Sequence, residues 1–107
     1  MAYNKPNLKI TYDNDGPTLK FMAWLEIDGE LQTSGYTDSG NKITLRVYDE
    51  DGDEIIYKYM SSPNSRGFFN VEQSSPALVS KTGYYVVFSI LHNTVLYTNV
   101  GAFYYID

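Results

Sequence analysis

The chain has 107 residues, with 13 Asp and Glu against 8 Lys and Arg, for a formal net charge of -5 at pH 7. It has no Cys and 1 His, but 11 Tyr, 5 Phe and 1 Trp. These counts fit one domain over residues 1–107, exclude a disulfide scaffold and Cys-ligated zinc or iron–sulfur sites, and leave no basic excess for phosphate contacts.

Residues 7–13 alternate, with Leu8, Ile10 and Tyr12 on one face. That is the period of a strand covered on one side. Asn14-Asp15-Gly16-Pro17 reads as a turn, because Gly supplies positive φ and Pro gives nothing to a ladder. Alternation resumes over 18–28. Leu19, Phe21, Ala23, Leu25 and Ile27 share one face, and Lys20, Met22, Trp24 and Glu26 share the other. Residues 29–41 are rich in Gly, Ser, Thr and Asp and read mostly as loop, with a short edge strand at Leu31 and Gln32. Residues 42–49 predict a strand with Ile43, Leu45 and Val47 inward and Thr44, Arg46 and Tyr48 outward. Asp51-Gly52 then lies between two alternating runs, a strong hairpin signal, and residues 55–60 return.

Residues 61–66 form a loop around Pro63 and Asn64, and 68–73 a short strand that Ser74-Ser75-Pro76 ends. Residues 84–91 are the most apolar run and predict a central strand buried on both faces. His92-Asn93 predicts a tight turn into a last strand or strand pair over 95–106, interrupted near Asn99-Val100-Gly101. Seven or eight short strands with regular turn signals point to an all-β sandwich or barrel.

Little in this pattern supports catalysis. The single His92 sits in a predicted turn, and there is no Gly-x-Ser-x-Gly elbow and no Cys nucleophile. No catalytic residue and no cofactor is expected. Asp49, Asp51, Asp53 and Glu54 offer hard oxygen ligands, and Asp13, Asp15 or Asp38 could join them if the loops converge. The spacing misplaces the Gly of an EF-hand loop, so a solvated hairpin turn is expected and not a metal site. Residues 82–106 are too polar and β-branched for a membrane helix, and the first residues lack the apolar run of a signal peptide.

The tyrosines carry more information. Tyr48, Tyr57, Tyr59, Tyr85, Tyr97, Tyr104 and Tyr105 fall in predicted strands, and alternation forces some of them outward. Outward Tyr, being amphipathic and cheap to order, suits a protein interface or a sugar platform. The candidate binding residues are therefore Trp24, Tyr48, Tyr57, Tyr59, Tyr85 and Tyr97.

One stretch resembles a known family. Leu78-Val-Ser-Lys-Thr-Gly-Tyr-Tyr-Val-Val-Phe88 is similar to the tyrosine-corner pattern of fibronectin type III and related immunoglobulin-like domains. Leu78, Thr82, Tyr84, Val86 and Phe88 match, and Ser80 stands where the pattern has Pro. Gly83 before two tyrosines leaves Tyr84 and Tyr85 as rival corner residues; the face that continues through Val86, Phe88 and Ile90 favours Tyr84. Asp49 to Asp53 around Gly52, then Gly67-Phe68-Phe69 and Gly83, follow the style of bacterial and phage modules of this family over 42–107. The resemblance implies an immunoglobulin-like antiparallel β-sandwich of seven or eight strands, in which Leu78, Thr82, Tyr84, Gly52 and Gly83 are structural.

Such a sandwich without Cys or signal peptide fits a phage virion, whose parts fold in the host cytoplasm and leave by lysis. The expected function is a non-enzymatic virion structural protein: a capsid decoration, head-fibre or tail accessory protein. Its expected partners are coat subunits, as a homo-oligomer or bound to a lattice, with neither nucleic acid nor membrane. The alternative is a carbohydrate-binding or adhesion module that uses the surface aromatics.

Overall fold

The computed structural model describes residues 4–13, 17–36 and 42–106. The turn expected at Asn14-Asp15-Gly16 and the residues Asp15 and Asp38 lie outside them. The described residues form nine strands: β1 (Asn7–Asp13), β2 (Thr18–Trp24), β3 (Glu26–Ile27), β4 (Glu30–Leu31), β5 (Thr44–Tyr48), β6 (Glu54–Tyr59), β7 (Phe68–Ser74), β8 (Thr82–His92) and β9 (Val95–Tyr105). One sheet has the order β1-β2-β7, a second β6-β5-β8-β9, and β3-β4 is a short ribbon of its own. Every pairing is antiparallel. Among the described residues no helix is long and apolar enough to cross a membrane.

Alternation sorts the side chains. Leu19, Phe21, Ala23, Phe69 and Val71 of the three-stranded sheet meet Leu45, Val47, Val86, Phe88 and Ile90 of the four-stranded sheet in one buried cluster. Phe69 and Phe88 touch edge to face across it, ring centroids 5.6 Å apart. Full burial of such a side chain contributes roughly 1.5–3 kcal/mol. The chain is thus all-β, with two antiparallel sheets facing each other across a common core, an arrangement compatible with a β-sandwich.

Several sequence expectations need correction. The run over 18–28 is not one strand. β2 ends at Trp24, and Leu25, fully buried, turns its carbonyl to accept the Gln32 amide at 2.9 Å. The following Asp28-Gly29 has positive φ at both residues (52° and 85°), the geometry of a two-residue type I′ hairpin, and joins β3 to β4. The run over 84–91 is covered on one face only, since Tyr85 remains 54% exposed. The final hairpin turns at Asn93-Thr94, with positive φ at both (46° and 67°), so His92 belongs to β8 and pairs with Val95.

β9 then runs unbroken through Gly101. That glycine opens the space in which the first strand lies: a Cβ there would sit 3.1 Å from Leu8 Cδ2 and 3.3 Å from Ile10 Cδ1. Asn99 Nδ2 donates to the Pro6 carbonyl at 2.8 Å, and Tyr12 packs on Tyr105 at 5.4 Å. β1 and β9 therefore run side by side in the same direction.

Candidate functional site

Strand register places one set of side chains on the outside of the four-stranded sheet. Thr44, Arg46 and Tyr48 project from β5, and their partners Tyr59 and Tyr57 from β6. Tyr85, Val87 and Ser89 continue the same rows on β8. Ala102, Val100 and Thr98 end those rows on β9, with Leu91 and Leu96 beyond. The result is a broad apolar and aromatic face. Val100 is 59% exposed and Tyr104 60% exposed, too open to serve the core.

Its strands carry one charged pair. Arg46 Nη1 donates to Glu54 Oε1 at 3.1 Å, and the guanidinium lies 4.8 Å from the centre of the Tyr57 ring. A hydrogen bond to Tyr48 and, less strongly, the Glu54 carboxylate hold Arg46 above its ordinary pKa. The other outer face differs. There β1, β2 and β7 present Lys9, Asp13, Lys20 and Glu72, with Lys20 and Asp13 paired at 3.8 Å.

Four of the candidate binding residues, Tyr48, Tyr57, Tyr59 and Tyr85, share the apolar face. Trp24 does not. It lies half-buried on the outside of the other sheet, tilted against Phe68 at 5.6 Å, with Nε1 donating to Glu26 at 3.2 Å. Nor does Tyr97: it pairs with Ile90 and packs against the core, the parity that any two-residue turn before Val95 gives it. The same parity brings Leu96, Val100 and Tyr104 outward. Sequence reasoning could have found these three by carrying the alternation of residues 84–91 through a two-residue turn into the last strand.

Residues expected to be structural are seated as follows. The Tyr84 side chain is 3% exposed, its hydroxyl accepts the Val79 amide at 2.7 Å, and its ring stacks on Phe103 at 5.2 Å. Leu78 packs against the core, and Thr82 Oγ1 donates to the Ser80 carbonyl at 3.5 Å. The Gly83 amide donates to Glu50 Oε1 at 2.7 Å, which ties the β5–β6 hairpin to the start of β8. Gly52 takes a positive φ of 85° within that hairpin. Tyr84→Phe is expected to lose about 1–2 kcal/mol, since the Val79 amide loses its acceptor. Urea unfolding measures this, and an unchanged midpoint would show that water replaces the hydroxyl.

His92 is not an exposed turn residue. It is 3% exposed, lies between Tyr36 and Tyr97, and its Nε2 meets the Ser34 carbonyl at 2.8 Å. It anchors the 34–36 segment to the end of β8, with the Tyr36–His92 bridge beside it. Tyr36 donates its hydroxyl to the Gln32 carbonyl at 2.7 Å, and burial pushes its phenol up to about 12. Among the described residues, carboxylate oxygens of Asp49, Asp51 and Asp53 lie within 4.8 Å of one another. Asp49 Oδ1 accepts the amides of Asp51 and Asp53, both at 2.9 Å, so this carboxylate closes the turn. Asp13 instead pairs with Lys20.

A scan against protein-family models and a search of curated proteins both return no match for this chain.

Proposed function

We propose that this chain is an immunoglobulin-like domain that docks a protein through the outer face of the β6-β5-β8-β9 sheet and does no catalysis. The observation that carries this is the contrast between the two outer faces. A single chain of net charge -5 sets Lys9, Asp13, Lys20 and Glu72 across one sheet, with Met22, Trp24 and Phe68 gathered at one end, and leaves the other with aromatic rings, aliphatic groups, a few hydroxyls and one neutralised ion pair. A contiguous apolar surface of this kind marks an interaction site. Tyr supplies large contact area at low entropic cost.

The family reading has its own support. With the β3-β4 ribbon set aside as an excursion, the first, second and fifth strands share one sheet, and the fourth, third, sixth and seventh share the other. That is the strand order of fibronectin type III domains, and the Tyr84–Val79 bond sits where their tyrosine corner would be. The setting we propose remains a virion, with coat or tail subunits as partners, on the strength of an immunoglobulin-like domain without Cys.

Photo-crosslinking residues placed at Val87 and Val100, in the cell that makes the chain, test the proposal. Discrete protein adducts are expected there and not from Lys9 or Lys20. Equal adducts from both faces, or none from either, would overturn it. Tyr57→Ser with Tyr59→Ser should abolish the adducts while changing stability by about 1 kcal/mol or less per site, since both rings stay over 40% exposed. A fall much beyond that would place the rings in the fold's support.

One local feature favours the sugar-binding alternative. Tyr85 and Tyr104 stand diagonally across Gly83 and Ala102 and border an open cleft of about 620 Å³ with Glu50 at its end. Glycan binding lost on Tyr85→Ala and Tyr104→Ala, with no protein adducts, would replace the first reading with this one.

A further inference from the structure

We infer that the protein docked on this face is a second copy of the same chain, the two sheets packing face to face with their acidic hairpins at opposite ends. The inference rests on the reading of the face as a protein-docking surface, and names its occupant.

Area is the first argument. β8 and β9 have eleven residues each, and β5 and β6 five and six. At about 3.4 Å per residue and about 4.8 Å between strands, the face projects on the order of 500 Å². Side-chain relief raises the accessible area toward the roughly 800 Å² per partner of a stable interface. Such a face, covered along its whole length, approaches the size of a standard interface.

Polarity along the strands is the second. Tyr48, Tyr85 and Tyr104 gather at the end near the acidic hairpin, whereas Leu91 and Leu96 occupy the far end. Antiparallel superposition lays the rings of one copy over the aliphatic groups of the other. The contact is then isologous: each copy gives and receives the same two halves.

Charge is the third. Asp49, Glu50, Asp51 and Asp53 all sit in the β5–β6 turn. Parallel stacking would bring two such clusters together. Antiparallel stacking separates them by about 30 Å, several times the roughly 8 Å Debye length of physiological salt. Within the face Arg46 is already paired with Glu54, and Glu50, beside Tyr85 and Tyr104, is exposed at the hairpin rim with its carboxylate on the Gly83 amide, where it keeps contact with water.

Sedimentation velocity on the full chain, from micromolar to millimolar concentration, provides the test. A monomer–dimer equilibrium is expected. Val100→Asp should weaken it at least about a hundredfold, because closure would bury an unpaired carboxylate; Thr11→Asp on the opposite face should leave it unchanged. A chain that stays monomeric at millimolar concentration overturns the inference, and so does a dimer that ignores Val100→Asp. Neither result touches the docking face itself, which stands if Val87 and Val100 give discrete adducts with any protein, a second copy included, and Lys9 and Lys20 do not. Because the chain has no Cys, Tyr104→Cys and Leu96→Cys chains can be mixed under oxidation. A mixed disulfide forming faster than either symmetric one supports antiparallel stacking, and equal rates exclude it.

Discussion

Phe88→Ala is expected to remove about 3–5 kcal/mol of stability. Phe88 is fully buried on β8, opposite Leu45 of β5, and meets the Phe69 ring from the facing sheet. Truncation deletes both its burial and the one ring contact that joins the two layers at this level. The surrounding side chains hang from strands fixed by ladder hydrogen bonds, so they collapse into the space only in part. A domain of this size loses roughly 4–8 °C per kcal/mol, so the melting temperature should fall by about 12–40 °C. Against a typical total of about 5–15 kcal/mol, the variant could stand near its folding limit. Phe88→Leu, which keeps most of the volume, should cost markedly less. Thermal unfolding followed by circular dichroism compares them, and equal losses would show that the site does not depend on filled volume.

Among the glycines of the described residues, Gly67→Ala should be the most damaging substitution, at about 2–4 kcal/mol. Two independent causes act there. Gly67 has a φ of 89°, in the left-handed region that costs an L-residue roughly 1–2 kcal/mol. A Cβ would also stand 2.6 Å from the Gln32 carbonyl oxygen, a backbone atom that cannot rotate away. The 64–68 loop cannot yield easily either. The Asn64 side-chain oxygen accepts the Arg66 and Phe68 amides at 2.9 and 3.0 Å, and the Asn64 amide donates to the Phe68 carbonyl at 2.8 Å. Any shift is passed to β7, whose second residue is the core ring Phe69. Gly52→Ala isolates the two causes. Its φ is 85°, but nothing lies within 4 Å of the added carbon, so only the conformational cost of about 1–2 kcal/mol applies. Chemical denaturation of both variants decides the matter. Equal losses would mean that the close approach of Gln32 has no energetic weight.

The architecture was legible where periodicity and turn chemistry agreed. Leu19, Phe21 and Ala23 announced their face by strict alternation, and Asp51-Gly52 marked its hairpin in residues that can take positive φ. The candidate surface was only half legible, because an outward face in the last strand follows only when its parity is read from the partner strand across the turn. Tyr97 was named for the surface without carrying parity through the last turn: a two-residue turn at His92-Asn93 would pair it with Phe88 and one at Asn93-Thr94 pairs it with Ile90, both inward, and the same step would have brought Leu96 and Val100 out. His92 was misjudged for another reason. Its burial depends on Tyr36 and Ser34, which lie more than fifty positions away in sequence and belong to a segment with no alternation of its own. Gly101 looked like an interruption because a sequence pattern does not show that another strand needs the room.

That last contact also bears on how the fold carries load. Pro6 lies by Asn99, Leu8 and Ile10 by Gly101, and Tyr12 by Tyr105. Tension applied near residues 4 and 106 pulls these parallel-running strands in opposite directions along their length. The Asn99 bond, the Leu8 and Ile10 packing and the Tyr12–Tyr105 pair then resist together as a shear joint, where a hairpin pulled apart at its open end would unzip one pair at a time. The side chain missing from Gly101 is what lets that joint close.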